Sequence, residues 1–440
     1  MSETILIVGS GAREHALAKG FACSPQRPAL LCFGSTRNPG IATMTRAYTT
    51  GDLTNPSAIV AFANQHRPTL AIIGPEAPLA AGVADALWAA GIPAVGPTAR
   101  LASIESSKGF ARELLRRHGI AGNPVFARFD SLEGVEAMLS QLGDRHVIKD
   151  DGLAGGKGVK VFGDHLHSRE ESLAYCRELA AAGHSFVIEE KLEGEEFSLL
   201  SFSDGATLKH MPAVQDHKRA YNGDSGPNTG GMGTYTDADG SLPFLREGDI
   251  TAARRMNERV IAALARDCGA PYKGILYGGF MATRDGVRLI EYNARFGDPE
   301  ALNLLTLLET DLVAICRAIV EGRLDEINVA FAREATVCKY LVPEGYPEHP
   351  RRGDVVSLPP SVPASVTMYL GSVDAQQEKM IAMGARTVGV VARAASLTKA
   401  EQLCEAAVRG VTGRFFHRSD IGTAAAIEQR ITHMAALRSR

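Results

Sequence analysis

The sequence predicts a multidomain chain of α/β and α+β architecture, and three observations carry that expectation. Over residues 1–100, short apolar runs alternate with segments of helical spacing, the pattern of a parallel sheet with crossover helices. Near residue 100 the texture changes to a smaller α/β unit, followed by a larger mixed sheet. The last hundred residues change again, to strand-like runs with a helical segment. The length of 440 residues agrees, since about 100–200 residues per domain gives roughly two to four domains.

Taken in order, Ile5–Val8, Leu30–Phe33 and Leu70–Ile73 are continuous apolar runs, suited to strands covered on both faces. Glu14–Phe21, Pro56–Asn64 and Leu79–Ala90 have helical spacing between and after them. Ser106–His118 predicts a helix, ended by Asn123-Pro124. Strands are expected at Val147–Lys149, Val159–Phe162 and Phe186–Glu189, with a helix over Arg169–Ala182. Leu199–Phe202 is a further strand. Gly274–Ala282 and Val287–Tyr292 read as a hairpin across Arg284-Asp-Gly286, and Pro299–Arg317 as one helix. Ala335–Leu341, Val355–Ser357, Ser365–Gly371 and Thr387–Ala394 predict strands, and Leu397–Val411 a helix.

Composition excludes several classes. A net charge of −3 gives no bulk positive field for nucleic acid or an anionic membrane. The seven cysteines form no C-x-x-C pair and are odd in number, which speaks against a zinc ribbon or disulfide framework and for a reducing cytoplasm. No apolar run is long enough to span a bilayer, and the N-terminus has no leader pattern.

Three strings carry chemistry. Gly9-Ser-Gly11-Ala-Arg13-Glu14 follows a strand and opens a helix, so its N–H groups could receive an anion such as phosphate. Glu14 replaces the third glycine of a dinucleotide fingerprint, which makes a nicotinamide enzyme the weakest reading. Arg13 adds charge, and His15 could reach the same mouth. Glu76, in Gly74-Pro-Glu-Ala-Pro78, stands at a strand C-terminus, where open sheets bind ligands. A structural turn and a solvated carboxylate are the plain alternatives for these two strings.

The second string, Val147-Ile-Lys149-Asp-Asp-Gly-Leu-Ala-Gly155-Gly156-Lys157-Gly158, puts one lysine at a strand end and another in a glycine loop that can cover a polyphosphate. It is not a Walker A loop; a surface hairpin is the alternative. Further on, Val187–Glu196 runs from a strand into an acidic connection, a candidate hinge for adenine and ribose or a solvated loop. In the third string, Leu289–Glu300, Glu291 and Asn293 share a strand face and offer hard oxygen ligands suited to Mg²⁺. Arg295 continues that face toward a transferring phosphoryl group, and Gly297-Asp298-Pro299 enters a helix. A charged solvent face is the competing reading, weakened by the order of loop, hinge and metal strand.

That order resembles the ATP-grasp superfamily. The strings Val8–His15, Gly74–Pro78, Lys149–Gly158, Gln215–Arg219, Gly226–Gly233 and Arg295–Glu300 resemble, more specifically, the phosphoribosylamine–glycine ligase (glycinamide ribonucleotide synthetase) family. The resemblance spans nearly the whole chain and is strongest through about residue 315. It implies an N-terminal Rossmann-like parallel sheet (1–103), a central ATP-grasp fold (104–315) with a mobile lid at about 123–192, and a small C-terminal α+β domain (316–440). It implies that Lys108 and Lys149 hold ATP phosphates beneath the loop Gly155, Gly156, Lys157 and Gly158. Glu189 would approach the adenine amino group, Glu190 and Leu192 would offer backbone groups to adenine, and Glu196 would bind ribose. Glu291 and Asn293 would hold Mg²⁺ or Mn²⁺. Gly11, Arg13, Glu14 and Glu76, with Arg295, Gly297, Asp298 and Pro299, would line the phosphoribosylamine side. Asp216 and Lys218 would face the substrates and, with Lys149 and Arg295, serve catalysis. The chain departs from the family at Asp150 and Gly155, where alanine is usual, and in its divergent C-terminal region.

The implied reaction is ATP-dependent ligation of glycine to 5-phosphoribosylamine through glycyl phosphate, in purine (IMP) biosynthesis, by a cytoplasmic monomer acting on small molecules without nucleic acid or membrane. Another ATP-grasp carboxylate–amine ligase, and a nucleotide sensor without turnover, are the rival expectations.

Overall fold

The computed structural model describes residues 3–153, 158–377 and 379–440. Gly155, Gly156 and Lys157 of the glycine loop lie outside the described residues.

Strands β1 (Thr4–Val8), β2 (Ala29–Gly34), β3 (Ala47–Thr50), β4 (Leu70–Ile73) and β5 (Ala94–Val95) form the predicted parallel sheet, in the order β3-β2-β1-β4-β5. The central β1 is buried on both faces, which is why its sequence is a continuous apolar run. The order places the turns after β1 and β4 side by side, because Gly74 N–H donates to Val8 O at 3.0 Å. The segment Leu79–Ala90 is two helices, Glu76–Ala80 and Val83–Ala89, parted at Gly82, whose φ is +80°.

A second, antiparallel sheet follows: β6 (Phe126–Phe129), β7 (His146–Asp150), β8 (Val159–Val161) and β9 (Phe186–Glu190), in the order β6-β9-β7-β8. Helices Val135–Leu142 and Arg169–Ala181 cover it. Its core, including Phe129, Met138, Ile148, Cys176, Phe186 and Ile188, is a cluster separate from the rest of the molecule. A unit with its own core can move as a body on its connections.

The remaining strands build mainly one large sheet. β10 (Glu195–Ser203), β11 (Leu208–Asp216), β12 (Arg219–Tyr221), β13 (Ser225–Asn228), β14 (Gly233–Thr236), β15 (Gly274–Thr283), β16 (Gly286–Asn293) and β17 (Ala335–Pro343) come first. β18 (Val355–Val356), β19 (Val366–Leu370), β20 (Val373–Gln376), β21 (Lys379–Ala382), β22 (Val388–Ala394) and β23 (Phe415–Phe416) complete the set. The large sheet has the order β16-β15-β10-β11-β14-β17-β22-β19, with β23 beside β17, and β12–β13 forms a separate hairpin. Its pairings are antiparallel rather than mixed. It runs unbroken from the central region into the C-terminal one. The join between β11 and β14 is narrow, at Gln215↔Tyr235 and Asp216↔Thr234.

One expected helix is corrected. Pro299–Arg317 is two helices, Glu300–Leu307 and Leu312–Glu321. Leu308 turns extended and bridges Phe331, and Asp311 caps the second helix by accepting from Val313 N–H at 3.2 Å. Sequence reading also missed the 22-residue helix Glu247–Cys268 and the terminal helix Ala424–Ser439.

Candidate active site

The first glycine turn is filled by its own glutamate. A Cβ on Gly9 would lie 2.8 Å from the Glu14 side chain, and one on Gly74 would lie 1.9 Å from Glu14 Oε1. Glycine at both positions lets the carboxylate enter between the turns, which explains the substitution for the third fingerprint glycine. Glu14 Oε2 accepts the Gly11 N–H at 2.6 Å. That N–H is therefore taken internally rather than offered to a phosphate, a correction to the expected anion site. Arg13, buried, donates to Glu14 Oε1 at 2.6 Å and to Phe296 O at 3.0 Å. His15 is also corrected: it leaves the mouth, its Nδ1 accepting from Leu370 N–H at 2.8 Å in the C-terminal region.

Arg295 joins three segments. Its Nε donates to Glu76 Oε2 at 3.2 Å, its Nη2 lies 2.8 Å from Glu105 Oε1, and its Nη1 donates to Phe296 O at 3.2 Å. Its guanidinium is thus shared between two carboxylates rather than left open on the Glu291–Asn293 face. Burial works to raise Glu76, but Arg295 and Arg13 hold its carboxyl down at about 2. Burial wins at Glu105, pushing it up to about 7 despite Arg295. Glu105 Oε2 accepts the Ala294 N–H at 2.7 Å. The Asn293 amide is satisfied with its nitrogen toward Glu105 Oε1 (3.0 Å) and Tyr292 O (3.3 Å), which turns its oxygen the other way.

Glu291 is two residues before Asn293 on β16. Burial acts to raise its carboxyl, but Lys218, Lys149, Lys108 and Arg295 together hold it below the usual range. An ionised carboxylate beside an amide oxygen, among cations, suits a divalent metal carried in with an anionic polyphosphate. Among the described residues, no group of three or more His, Cys, Asp or Glu could cage a metal alone. Two protein ligands with phosphate and water completing the shell is the usual mode of Mg²⁺, so the residues fit such an ion.

On the nucleotide side, Lys149 pairs with Glu189 and donates to Ile290 O at 3.2 Å. Glu189 is also gripped by Arg112, Nε at 2.7 Å and Nη2 at 3.0 Å. Its carboxylate is thus committed to two cations rather than free for an adenine amino group. Lys108 Nζ donates to Gly152 O at 2.8 Å. Glu190 turns its carboxylate back to Val125 N–H (3.0 Å), leaving its backbone and that of Leu192 at the β9–β10 connection. Asp150 faces the exposed His184, 3.1 Å away, so its departure from alanine carries the charge outward. The buried Gly158 carbonyl accepts from Asp150 N–H at 2.8 Å, closing the described end of the loop.

The narrow seam of the large sheet brings in the remaining groups. Lys218 Nζ lies 3.1 Å from Glu196 Oε2; against burial, Glu196 and Glu291 raise its ammonium well above the usual range. Burial and then Glu300 push Asp216 well above the carboxylate range. Asp216 Oδ1 accepts its neighbour His217 N–H at 2.8 Å, and a Cβ on Gly231 would lie 2.6 Å from both that oxygen and Pro299. A Cβ on Gly297 would strike Glu300 at 2.3 Å. Asp298 receives the Tyr340 hydroxyl at 2.6 Å, and Arg386 lies 3.5 Å from its other oxygen. Arg386 also donates to Gly230 and Gly231 carbonyls and stacks on Tyr340. Glu105, Arg112, Glu300, Tyr340 and Arg386 were not singled out in the sequence, although Glu300 ends the third string and Glu105 and Arg112 flank Lys108.

Fold and site together define an ATP-grasp enzyme, an ATP-dependent ligase using ATP and a divalent metal. Three family descriptions match in succession: phosphoribosylglycinamide synthetase N domain over residues 3–105, ATP-grasp (A) domain over 106–301 and C domain over 336–424. The phosphoribosylamine–glycine ligase of Methanosarcina acetivorans is 46% identical over 438 residues, covering 100% of this chain and 98% of its own. That of Methanothermobacter thermautotrophicus is 44% identical over 441 residues, covering 99% and 100%. The crystal structure of phosphoribosylamine–glycine ligase from Thermotoga maritima superposes with a TM-score of 0.80 at 24% identity, over 95% of this chain and 99% of that one. A biotin carboxylase from Campylobacter jejuni shares the fold, with a TM-score of 0.69 at 16% identity over 98% and 95%. The chain belongs to the phosphoribosylglycinamide synthetase, or phosphoribosylamine–glycine ligase, family.

Proposed function

We propose that this protein joins glycine to 5-phosphoribosylamine, converting ATP to ADP and phosphate by way of glycyl phosphate, in purine (IMP) biosynthesis. The observation that carries the reading is convergence. It is supported by contacts between distant strings: Arg13 donates to Phe296 O, Arg295 pairs with Glu76, Glu196 and Glu291 raise the Lys218 ammonium against burial, and a Cβ on Gly11 would lie 3.9 Å from Asp298. The small-molecule substrates are glycine, 5-phosphoribosylamine and ATP, and the protein works as a monomer in the cytoplasm. Among the described residues no helix is long and apolar enough to cross a membrane.

A carboxylate is a poor acyl donor because its oxygen leaves badly. Attack of a glycine oxygen on the terminal phosphorus of ATP breaks the bond to ADP and makes an acyl phosphate. The amine then attacks the carbonyl carbon, phosphate departs, and the amine nitrogen loses a proton. Catalysis of this kind is mainly positioning and charge neutralisation. Lys108 and Lys149 bind the phosphates, aided by Gly155, Gly156, Lys157 and Gly158. Glu189, paired with Lys149, fixes that lysine for the phosphates, Glu190 and Leu192 offer backbone groups to adenine, and Glu196 takes ribose hydroxyls. Glu291 and Asn293 hold Mg²⁺ or Mn²⁺, which when bound neutralises phosphate charge. Gly11, Arg13, Glu14, Glu76, Gly297, Asp298 and Pro299 shape the phosphoribosylamine side. Lys218 and Arg295 orient the acyl phosphate, and Asp216 accepts the amine proton at Oδ2. We read units at 1–103, 104–315 and 316–440, with the separately cored 123–192 unit closing as a lid to exclude water from the acyl phosphate.

The test is ADP release by purified protein with glycine and phosphoribosylamine supplied together and singly, with the product identified by mass. ADP and glycinamide ribonucleotide in equal amounts only when both are present is expected. Ligation of another carboxylate or amine in preference would contradict the assignment.

A further inference from the structure

We propose that Glu105 is a positioning residue that decides which end of the Asn293 amide faces the metal; the proposal rests on Glu291 and Asn293 being the metal ligands. An asparagine side chain has an oxygen at one end and an NH₂ at the other, and only the oxygen can bind a cation. Something must therefore break the near-symmetry of the amide. Glu105 ends the helix Ala99–Ser106, and its side chain is 6% exposed. It reaches three consecutive residues: Oε1 lies 3.0 Å from one end of the Asn293 amide, which its hydrogen-bond surroundings assign as the nitrogen, and 2.8 Å from Arg295 Nη2, while Oε2 receives the Ala294 N–H at 2.7 Å.

The three groups within hydrogen-bond reach of this carboxyl, the Asn293 amide, the Ala294 N–H and Arg295 Nη2, can all donate to it, while the Glu76 carboxylate faces it from farther off, and a carboxylate is the one side chain of this size that accepts at both ends. With the Asn293 nitrogen drawn to Glu105, its oxygen is turned away from that carboxylate, toward the side on which β16 presents Glu291. Arg295, held in the same grip and by Glu76, keeps the carboxylate from repelling an approaching polyphosphate. Groups that orient metal ligands in this way typically change affinity by about 10–100-fold when removed.

The logic makes a specific pair of variants informative. Glu105→Gln keeps the size but leaves one acceptor end for three donors; with that oxygen on the backbone Ala294 N–H, the NH₂ faces Asn293, which turns its oxygen toward Gln and its nitrogen toward the metal. Asn293→Asp has an oxygen at either end and needs no orienting, and in the Glu105→Gln background it also gains a donor. Mn²⁺ binding to the full chain with a non-hydrolysable ATP analogue, followed by electron paramagnetic resonance, is the readout, with thermal melting to confirm folding. We expect Glu105→Gln to weaken Mn²⁺ binding by about tenfold or more, and Glu105→Gln/Asn293→Asp to return to within about threefold of wild type. Unchanged Mn²⁺ affinity in Glu105→Gln, or a double variant as weak as the single, overturns the proposal. A wild type that binds no Mn²⁺ with the analogue overturns the metal assignment beneath it, a different and distinguishable failure. If either variant does not fold, neutron diffraction of the wild type decides: deuterons on the Asn293 atom facing Glu105 support the proposal, and their absence there overturns it.

Discussion

Arg295 lies between two carboxylates of opposite character. Glu76 is held at about 2 and is ionised throughout the useful pH range, whereas burial lifts Glu105 to about 7. The guanidinium, raised further by both, stays charged at any pH the fold survives. Its removal takes away a fixed positive charge and leaves the buried Glu105 and the part-exposed Glu76 without their shared partner. Arg295→Ala should therefore lower kcat by about 10²–10³, the scale of losing one transition-state donor; steady-state kinetics with a loss under threefold would make it peripheral. Asp216, as proton acceptor, should fail as Asn, with kcat reduced while ATP binding, measured by calorimetry, persists. Because burial and Glu300 raise its pKa, the wild-type rate should fall as pH drops through that raised value; a flat acid limb would exclude the role. Lys149, Asp216, Glu291 and Arg295 stood out in the sequence because they lie in dense strings. Glu105 and Arg386 were not, because each acts through partners distant in sequence, on residues 293–295 and on Gly230, Gly231 and Asp298.

At the level of elements, the C-terminal region is pinned by a lysine with no exposed surface. Lys339 on β17 reaches Glu401 and Glu405 on helix Leu397–Val408 at 2.8 Å each, and Ser419 O at 2.9 Å. Burial would raise Glu405, but Lys339 and His417 hold it at about 2. Its folded pKa lies below the unfolded value of about 4.5, so its stabilisation is full above that pH and is lost as pH falls toward 2. Glu405→Gln should lose about 1–3 kcal/mol at neutral pH in urea melts. It should also show a shallower decline than wild type between pH 4.5 and 2; an equal slope would contradict the ion pair's part. Strands with continuous apolar runs, such as β1 and β4, were readable because burial on both faces writes itself into composition. β3 was not, since Ala47-Tyr-Thr-Thr is only half-buried. The break at Leu308 was missed because helical apolar spacing continues across it, although Asp311 before an apolar run was the available signal.

At the scale of the whole molecule, the large sheet narrows to two residue pairs between β11 and β14, with Asp216 in one of them, before β14 pairs with β17 of the C-terminal region. His217 sits beside it, buried, its pKa lowered to about 4 by burial and by Arg418, with Arg430 adding and Asp224 and Asp420 opposing. A neutral buried histidine stabilises the fold above its unfolded pKa of about 6.5, and that contribution is lost as pH falls to 4. Wild type should thus lose about 1–2 kcal/mol from this group between pH 7 and 5. Denaturation of His217→Asn at the two pH values should show that loss reduced; no reduction would move the acid sensitivity elsewhere. The parallel sheet was legible in the sequence. The continuity of the large sheet was not, because strand pairing between residues 216 and 234, or 235 and 337, leaves no local pattern.

The claim on which the rest depends is that Glu291 and Asn293 hold the metal beside the transferred phosphate. Anomalous diffraction from crystals soaked with Mn²⁺ and a non-hydrolysable ATP analogue locates that ion directly. The peak should lie about 2.0–2.4 Å from a Glu291 carboxylate oxygen and the Asn293 amide oxygen, touching the analogue's phosphates. A Mn²⁺ bound to the phosphates but clear of both side chains would contradict it.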